Sequence, residues 1–326
     1  MTFPVHRSGE SGPAERGEAF GRALAPQVQH TVQTYRRMFA ERGVAAPTDL
    51  PPHAEIDAIA RGAQVDPREL RAVNARTEIL NGADECSVIG AGGLLAQNWD
   101  WHPDLADSTV IWVVERQDSW FATLTEAGIL AKIGLNSHGL GICLNILKTT
   151  ADGGVTGSPI HILLRETLET CTSVDEAIDL LQSTKVTASS AVTVATPGDV
   201  AHVELNPGGA NVIRGALGAH TNHFLQEPKA GTDTMAEESP TTHQRLEVAR
   251  SGEPLLDILR SHDGHPKGVC RHLDPNDAWA DQSVTIASVV MNLEKLRLHV
   301  AAGPPCTHEH VQITLPSAPL ASTAAH

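Results

Sequence analysis

The sequence predicts an α+β protein in which two antiparallel sheets are covered by helices. In the N-terminal part, apolar residues recur at steps of three and four. At Ala83 the pattern switches to short apolar segments separated by Gly, Asp, Asn and Ser. Blocks then follow in the order strands, helix pair, strands, helices and strands, the order expected of helix-covered sheets.

Each element has its own signal. From Pro13 to Arg42, Phe20, Leu24, Val28, Val32, Tyr35, Met38 and Phe39 fall on one helical stripe, which Pro51-Pro52 ends. Asp66-Pro67-Arg68-Glu69 starts a second helix, with Asp as N-cap, Pro in the first turn and Glu closing a capping box. That helix should run to Asn81-Gly82. Short strands are expected at 87–89, 93–98, 109–115, 120–126, 131–135 and 141–147. A helix over 159–170 precedes a second, which begins at the capping box Ser173-Val174-Asp175-Glu176. Strands return over 191–213, with turns at Pro197-Gly198 and Pro207-Gly208-Gly209. Helices are expected over 242–250 and 255–262, then a hairpin of 284–293 and 296–302. The tail after Pro316 is rich in Ala, Ser and Pro and should be loose.

Composition excludes several functions. With 24 Lys+Arg against 39 Asp+Glu, the net charge of -15 repels phosphate backbones, so no nucleic-acid partner is expected. No apolar run reaches the roughly 18–20 residues of a membrane span, and Met1–Arg16 lacks a secretory pattern. A cytoplasmic protein without membrane association is expected. The five cysteines Cys86, Cys143, Cys171, Cys270 and Cys306 are odd in number and widely spaced, with no C-x-x-C, which fits neither a disulfide framework nor a zinc module.

The switch at Asp84-Glu85-Cys86-Ser87 carries the chemistry. A cysteine that opens a strand after a helical leader can attack the carbonyl of its own preceding peptide bond. Hydrolysis of the resulting thioester frees its amino group. An α-amine has a pKa of about 7.7–8.0, well suited to a general base at neutral pH. The thiol, at about 8.5, is already a good nucleophile. The competing reading is a buried structural cysteine.

Cys86-Ser87 and the string Gly93-Leu94-Leu95-Ala96-Gln97-Asn98-Trp99-Asp100-Trp101 resemble the nucleophile region of the acyl-coenzyme A:6-aminopenicillanic acid acyltransferase family. Thr125-Glu126-Ala127-Gly128, Lys132-Ile133-Gly134-Leu135-Asn136-Ser137 with Gly139-Leu140-Gly141, and His220-Thr221-Asn222-His223-Phe224-Leu225 match in the family's order. The resemblance implies a four-layer αββα N-terminal-nucleophile hydrolase sandwich. It also implies a precursor that cuts itself between Glu85 and Cys86, giving a helical small chain, 1–85, and a catalytic large chain, 86–326. By resemblance Cys86 is nucleophile and, through its amine, base. Asp100 would orient that amine or the surrounding strand, and Asn222 would donate to the oxyanion. Two positions depart from the pattern. Glu85 replaces a glycine, and Gln282 stands where the family carries an arginine, with Arg271 further upstream.

The expected activity is hydrolysis of a small N-acyl amine or amino-acid amide through an acyl-thioester. Acyl transfer from an amide or thioester to an amine is the alternative, and an unprocessed binding protein the second. The expected partners are that small-molecule substrate and the chain's own small fragment. No cofactor or metal is expected: His262-Asp263-Gly264-His265 and Cys306-Thr307-His308-Glu309-His310 read as solvated residues near a helix end and on a loop. No G-x-S-x-G elbow is present, and Gly90-Ala91-Gly92-Gly93 lacks the lysine and helix of a P-loop.

Overall fold

A short strand, β1 (Val5–Ser8), precedes five helices: α1 (Pro13–Ala23), α2 (Ala25–Glu41), α3 (Ala54–Ala63), α4 (Pro67–Asn74) and α5 (Arg76–Leu80). The computed structural model describes residues 2–81, 86–215 and 218–317, and every structural statement concerns these. Glu85, on one side of the expected cleavage point, lies outside them, as do Gly82 and most of the tail.

The helix expected from Pro13 to Arg42 is two. Leu24 leaves helical geometry (φ -118, ψ 28) just before Pro26, whose ring cannot donate to the preceding turn. The helix begun at Asp66 likewise breaks, at Ala75. Asp66 does cap it, accepting from the Arg68 N–H at 2.8 Å. Glu69 closes no capping box, because its carboxylate binds Arg36 of α2 at 2.8 and 3.0 Å. Helix α3 and strand β1 were not anticipated. α3 packs closely on α1 because Gly17 and Gly21 present no side chain there; a Cβ at Gly21 would lie 2.1 Å from the Ile59 carbonyl oxygen.

Six strands follow: β2 (Cys86–Ala91), β3 (Leu94–Trp101), β4 (Thr109–Glu115), β5 (Trp120–Glu126), β6 (Ile133–Asn136) and β7 (Gly141–Ile146). After α6 (Ile160–Thr170) and α7 (Val174–Ser183) come β8 (Ser190–Thr196), β9 (Asp199–Asn206), β10 (Gly209–Arg214) and β11 (Gly218–His220). The chain continues through α8 (Met235–Glu238), α9 (Thr242–Ala249) and α10 (Leu255–Leu259). It ends with β12 (Val284–Asn292), β13 (Arg297–Ala301) and β14 (Val311–Ile313).

The strands form an eight-stranded sheet, β1-β4-β5-β6-β7-β8-β9-β10, and a six-stranded sheet, β11-β2-β3-β12-β13-β14. Pairing is antiparallel except for β1 on β4. The sheets face each other through β2 and β3 against β7 and β11 against β9. On the outside of the larger sheet, α1 meets β1, α6 meets β5–β7 and α7 meets β8–β10. On the smaller sheet, Leu246 and Ala249 of α9 and Ile258 and Leu259 of α10 pack with Ile89, Ala96 and Ala219. This is a four-layer αββα sandwich, as the resemblance implied.

Polar groups tie the N-terminal segment to the body. Tyr35 donates to Glu126 at 2.7 Å and accepts from the Trp101 indole at 2.8 Å. Glu78 of α5 accepts from the Ile160 N–H at 2.8 Å. Burial pushes the Glu78 carboxyl up to about 7, against the opposing pull of that N–H and of Arg76. Below the unfolded value of 4.5 both states hold the proton and nothing is lost. As pH rises from 4.5 through 7, only the folded state must hold it, so stability falls by about 3 kcal/mol. Glu78→Gln should remove this slope. Urea titrations of both proteins at pH 5 and 8 check it: parallel pH dependences would contradict the assignment.

Candidate active site

The string from Gln97 to Trp101 lies on β3, where alternate side chains face opposite sides. Gln97 points between the sheets, donating to the Leu144 carbonyl at 2.6 Å and accepting from the Leu144 N–H at 3.2 Å. Trp99, on the same face, lies under Lys132 at 3.8 Å. Asn98 points to the helices and donates to the Leu259 and Val269 carbonyls, both at 2.8 Å. Asp100, also on that face, accepts from Thr285 Oγ1 at 2.6 Å. Gln97 and Trp99 thus contact the larger sheet's side, Asn98 the helical side, and Asp100 the neighbouring strand of its own sheet.

Cys86 is the first residue of β2 and pairs in register with Trp99, so its side chain shares the inter-sheet face. It is 4% exposed. Cys143 of β7 lies near it, its thiol held well above the usual range by burial and then by Cys86. Cys143 is thus neutral at physiological pH, a poor rival nucleophile.

The Cys86 peptide groups are held from several sides. Its N–H donates to Asn222 Oδ1 at 2.8 Å. Its carbonyl accepts from Arg245 Nη1 at 2.9 Å and Asn145 Nδ2 at 3.0 Å. Arg245 also reaches Ser87 Oγ at 3.2 Å, Asn222 Oδ1 at 3.0 Å and Ser239 Oγ at 3.1 Å. Burial lowers the Arg245 guanidinium to about 10, with Asp100 and Cys86 opposing, so it stays charged at neutral pH. The Asn222 loop is pinned by Thr242 Oγ1, which accepts from the Asn222 N–H at 2.9 Å, and by Glu204, which meets His220 at 3.0 Å and the Leu225 N–H at 2.5 Å.

Cys86 and Asn222, far apart in sequence, are thus in direct contact. Asp100 is one position beyond the register partner of Cys86 and faces the opposite side. It bonds the β12 strand through Thr285, its register partner, which favours strand support over direct contact with the Cys86 nitrogen. Burial drives its carboxyl well above the usual range, against the pull of Thr285 and Arg245. Asn222 Nδ2 donates to the Ile146 carbonyl at 2.9 Å. Arg271, rather than Gln282, approaches Asp100, its Nε 3.9 Å from Oδ2.

Arg245 and Asn145 were missed by sequence reasoning. The signal for Arg245 was available: it sits on the buried stripe of α9 with Thr242, Leu246 and Ala249, where an arginine needs buried partners. The Thr125–Ser137 block is structural instead. Glu126 is held by Tyr35 and Lys132, and Asn136 accepts from the His138 and Leu140 N–H groups to close a turn. A cavity of about 540 Å³ beside α3 and α6 includes His53, Ile56 and Pro159 but none of Cys86, Asp100 or Asn222.

The site is set in a four-layer αββα sandwich of two facing sheets covered by helices. The chain belongs to the acyl-coenzyme A:6-aminopenicillanic acid acyl-transferase family, whose profile matches residues 88–306. It is similar to the acyl-coenzyme A:6-aminopenicillanic-acid-acyltransferase 40 kDa form of Emericella nidulans, at 29% identity over 239 residues. That match covers 67% of this chain and 66% of the relative, just under two thirds of its length. Among solved structures, penicillin V acylase from Agrobacterium tumefaciens matches at a TM-score of 0.48 and 16% identity, covering 70% of this chain and 85% of that one. A mutant of conjugated bile acid hydrolase from Clostridium perfringens matches at 0.46 and 12%, covering 71% and 97%. Among the described residues no helix is long and apolar enough to cross a membrane.

Proposed function

We propose that the chain is a self-processing N-terminal-cysteine amidohydrolase acting on a small N-acyl amine or amino-acid amide. The observation that carries this reading is the fixing of Cys86 at the first position of β2, its N–H on Asn222 and its carbonyl on Arg245 and Asn145. Held in this way, the cysteine backbone stays in place while the bond before it changes partners.

In processing, Cys86 Sγ attacks the Glu85 carbonyl carbon and gives a tetrahedral oxyanion. Its collapse breaks the C–N bond and leaves Glu85 as a thioester. The departing Cys86 nitrogen takes up the thiol's proton and becomes the free amine, and water then hydrolyses the thioester to the Glu85 carboxylate and the thiol. In turnover the amine accepts the thiol proton as Sγ attacks the substrate carbonyl, then delivers a proton to the leaving amine. Water resolves the acyl-thioester. Asn222 Oδ1 keeps the amine in place, and the Asn222 amide N–H is the candidate oxyanion donor. Asn222→Ala should lower kcat by about 10²–10³. The small chain, 1–85, would stay bound through β1, Tyr35 and α3.

The resemblance sets Gln282 where a family example carries an arginine, and an acceptor site without that arginine favours water over a penicillin-type acceptor. The test is to incubate the protein with a panel of N-acyl amines and amino-acid amides and follow the peptide that begins at Cys86 by mass spectrometry. The reading expects an acyl adduct on that peptide, absent from Cys86→Ala, with free acid as main product. Hydroxylamine that diverts most of the acyl group would make transfer the better description. No adduct and no turnover across the panel would count against both.

A further inference from the structure

We propose that the chain binds one structural zinc ion through His262, Cys270, His272 and Cys306. The four come from three segments: the turn after α10, the stretch leading to β12, and the loop between β13 and β14. Their ligand atoms all lie within 4.8 Å of one another. His272 Nε2 is 3.2 Å from His262 Nε2, 3.4 Å from Cys306 Sγ and 3.7 Å from Cys270 Sγ. A tetrahedral zinc, with bonds of about 2.0–2.1 Å to nitrogen and 2.3 Å to sulfur, sets N···N at about 3.3 Å and N···S at about 3.6 Å. The three spacings from His272 Nε2 match that geometry.

Hydrogen bonding does not explain the cluster. An imidazole Nε2 offers one N–H or one lone pair, so a single such atom cannot bond three partners at once. Four donors converging on a common centre are the arrangement a cation requires. Two thiolates and two imidazoles select zinc among the abundant divalent ions, and four protein ligands leave no open position, as in a structural site. His262 and Cys306, read from sequence as parts of two unrelated solvated stretches, meet here. His265, His308 and His310 contribute no ligand atom to the cluster.

The site has a reason to exist where it does. Arg271 lies between two of the ligands, and its backbone exchanges hydrogen bonds with Thr285, at 2.8 Å from Arg271 N to Thr285 Oγ1 and 3.2 Å from Thr285 N to Arg271 O. Thr285 in turn donates to Asp100. A zinc clamp would fix this irregular stretch, which borders β12, the strand next to the β3 partner of Cys86. The proposal stands independently of the catalytic reading.

The test is zinc content by mass spectrometry of the full chain, purified under reducing conditions without chelator. About one zinc per chain is expected, in wild type and in Cys86→Ala alike. Cobalt in its place should give the intense visible absorption of a tetrahedral thiolate complex. His262 is exposed, so His262→Ala should fold and lose its metal to a competing chelator at least about tenfold more readily. Cys270→Ser with Cys306→Ser should lose it altogether. Should that double variant fail to fold, His262→Ala and the wild-type cobalt spectrum decide. Wild-type protein with less than about a tenth of an equivalent after reconstitution would overturn the proposal. So would a Cys270–Cys306 disulfide as the isolated state, or zinc undiminished in the variants.

Discussion

Arg245→Ala is expected to slow self-cleavage and turnover by at least about 10² and to destabilise the fold by about 3–5 kcal/mol. The guanidinium is buried and bonds Cys86 O, Ser87 Oγ, Asn222 Oδ1 and Ser239 Oγ. Deleting it leaves several acceptors short of donors, and hydrogen bonds to a charged group are worth about 1.5–3 kcal/mol each. It also removes the cation that offsets the buried Asp100 carboxyl. Arg245→Lys separates the two effects. A lysine keeps the charge, but its compact ammonium lacks the fork that serves these acceptors together. Most of the stability should return, with little of the activity. Urea denaturation and a cleavage time course read the two quantities. Wild-type cleavage in Arg245→Ala would remove the residue from the site.

Glu55→Ala should cost about 3–5 kcal/mol without touching Cys86. Glu55 lies on α3 and accepts from Arg16 Nε at 2.6 Å and Nη2 at 3.1 Å, and from Arg165 Nη2 at 2.9 and 3.0 Å. Both arginines are almost fully buried, at 2% and 3% exposure. Arg165 also lies over Trp112 and Phe121, at 4.8 and 4.5 Å. Removing the carboxylate leaves two guanidinium charges close together and out of water. Glu169 lies near both, at 3.5 Å from Arg16 and 2.8 Å from Arg165, and Glu10 also acts on Arg16, but neither replaces the hydrogen bonds that Glu55 accepts from both guanidiniums. Glu55→Gln should fail nearly as badly, because a neutral amide offers one acceptor oxygen for two cations. Because Arg16 and Glu55 precede Cys86 while Arg165 follows it, cleavage would turn this network into an interface between two chains. Loss of the small chain from Glu55→Ala at low urea, with wild type intact, is the expected result of size-exclusion chromatography. Co-elution of both chains at every concentration would contradict it.

Much of the site's frame was legible in the sequence because it is local. The alternation of Gln97, Asn98, Trp99, Asp100 and Trp101 forces successive side chains to opposite faces of β3, and a polar residue on a buried face must find a partner. Cys86 was legible as the residue at which helix gives way to strand. What escaped depends on the path of the chain through space. Strands β1 and β14 span only 4 and 3 residues, too short for a period-two pattern to register. Nothing near Asn145 or Arg245 in sequence says that both end on the carbonyl of Cys86. The break at Leu24 interrupts an apolar stripe that is continuous in sequence, so the stripe concealed it. In the zinc cluster only Cys270 and His272 are close in sequence; His262 and Cys306 join them because three segments meet in space. Asn222 was assigned as an oxyanion donor, and its carbonyl oxygen on the Cys86 nitrogen is a second task that a short string cannot reveal.

The reading of Cys86 as a self-released N-terminal nucleophile is tested most directly by the intact mass of purified protein under denaturing conditions, wild type beside Cys86→Ala. Two wild-type fragments, Met1–Glu85 and Cys86–His326, with one uncut mutant chain, are the predicted result. A wild-type chain that stays whole after long incubation, or a mutant that is cut at the same bond, would contradict it.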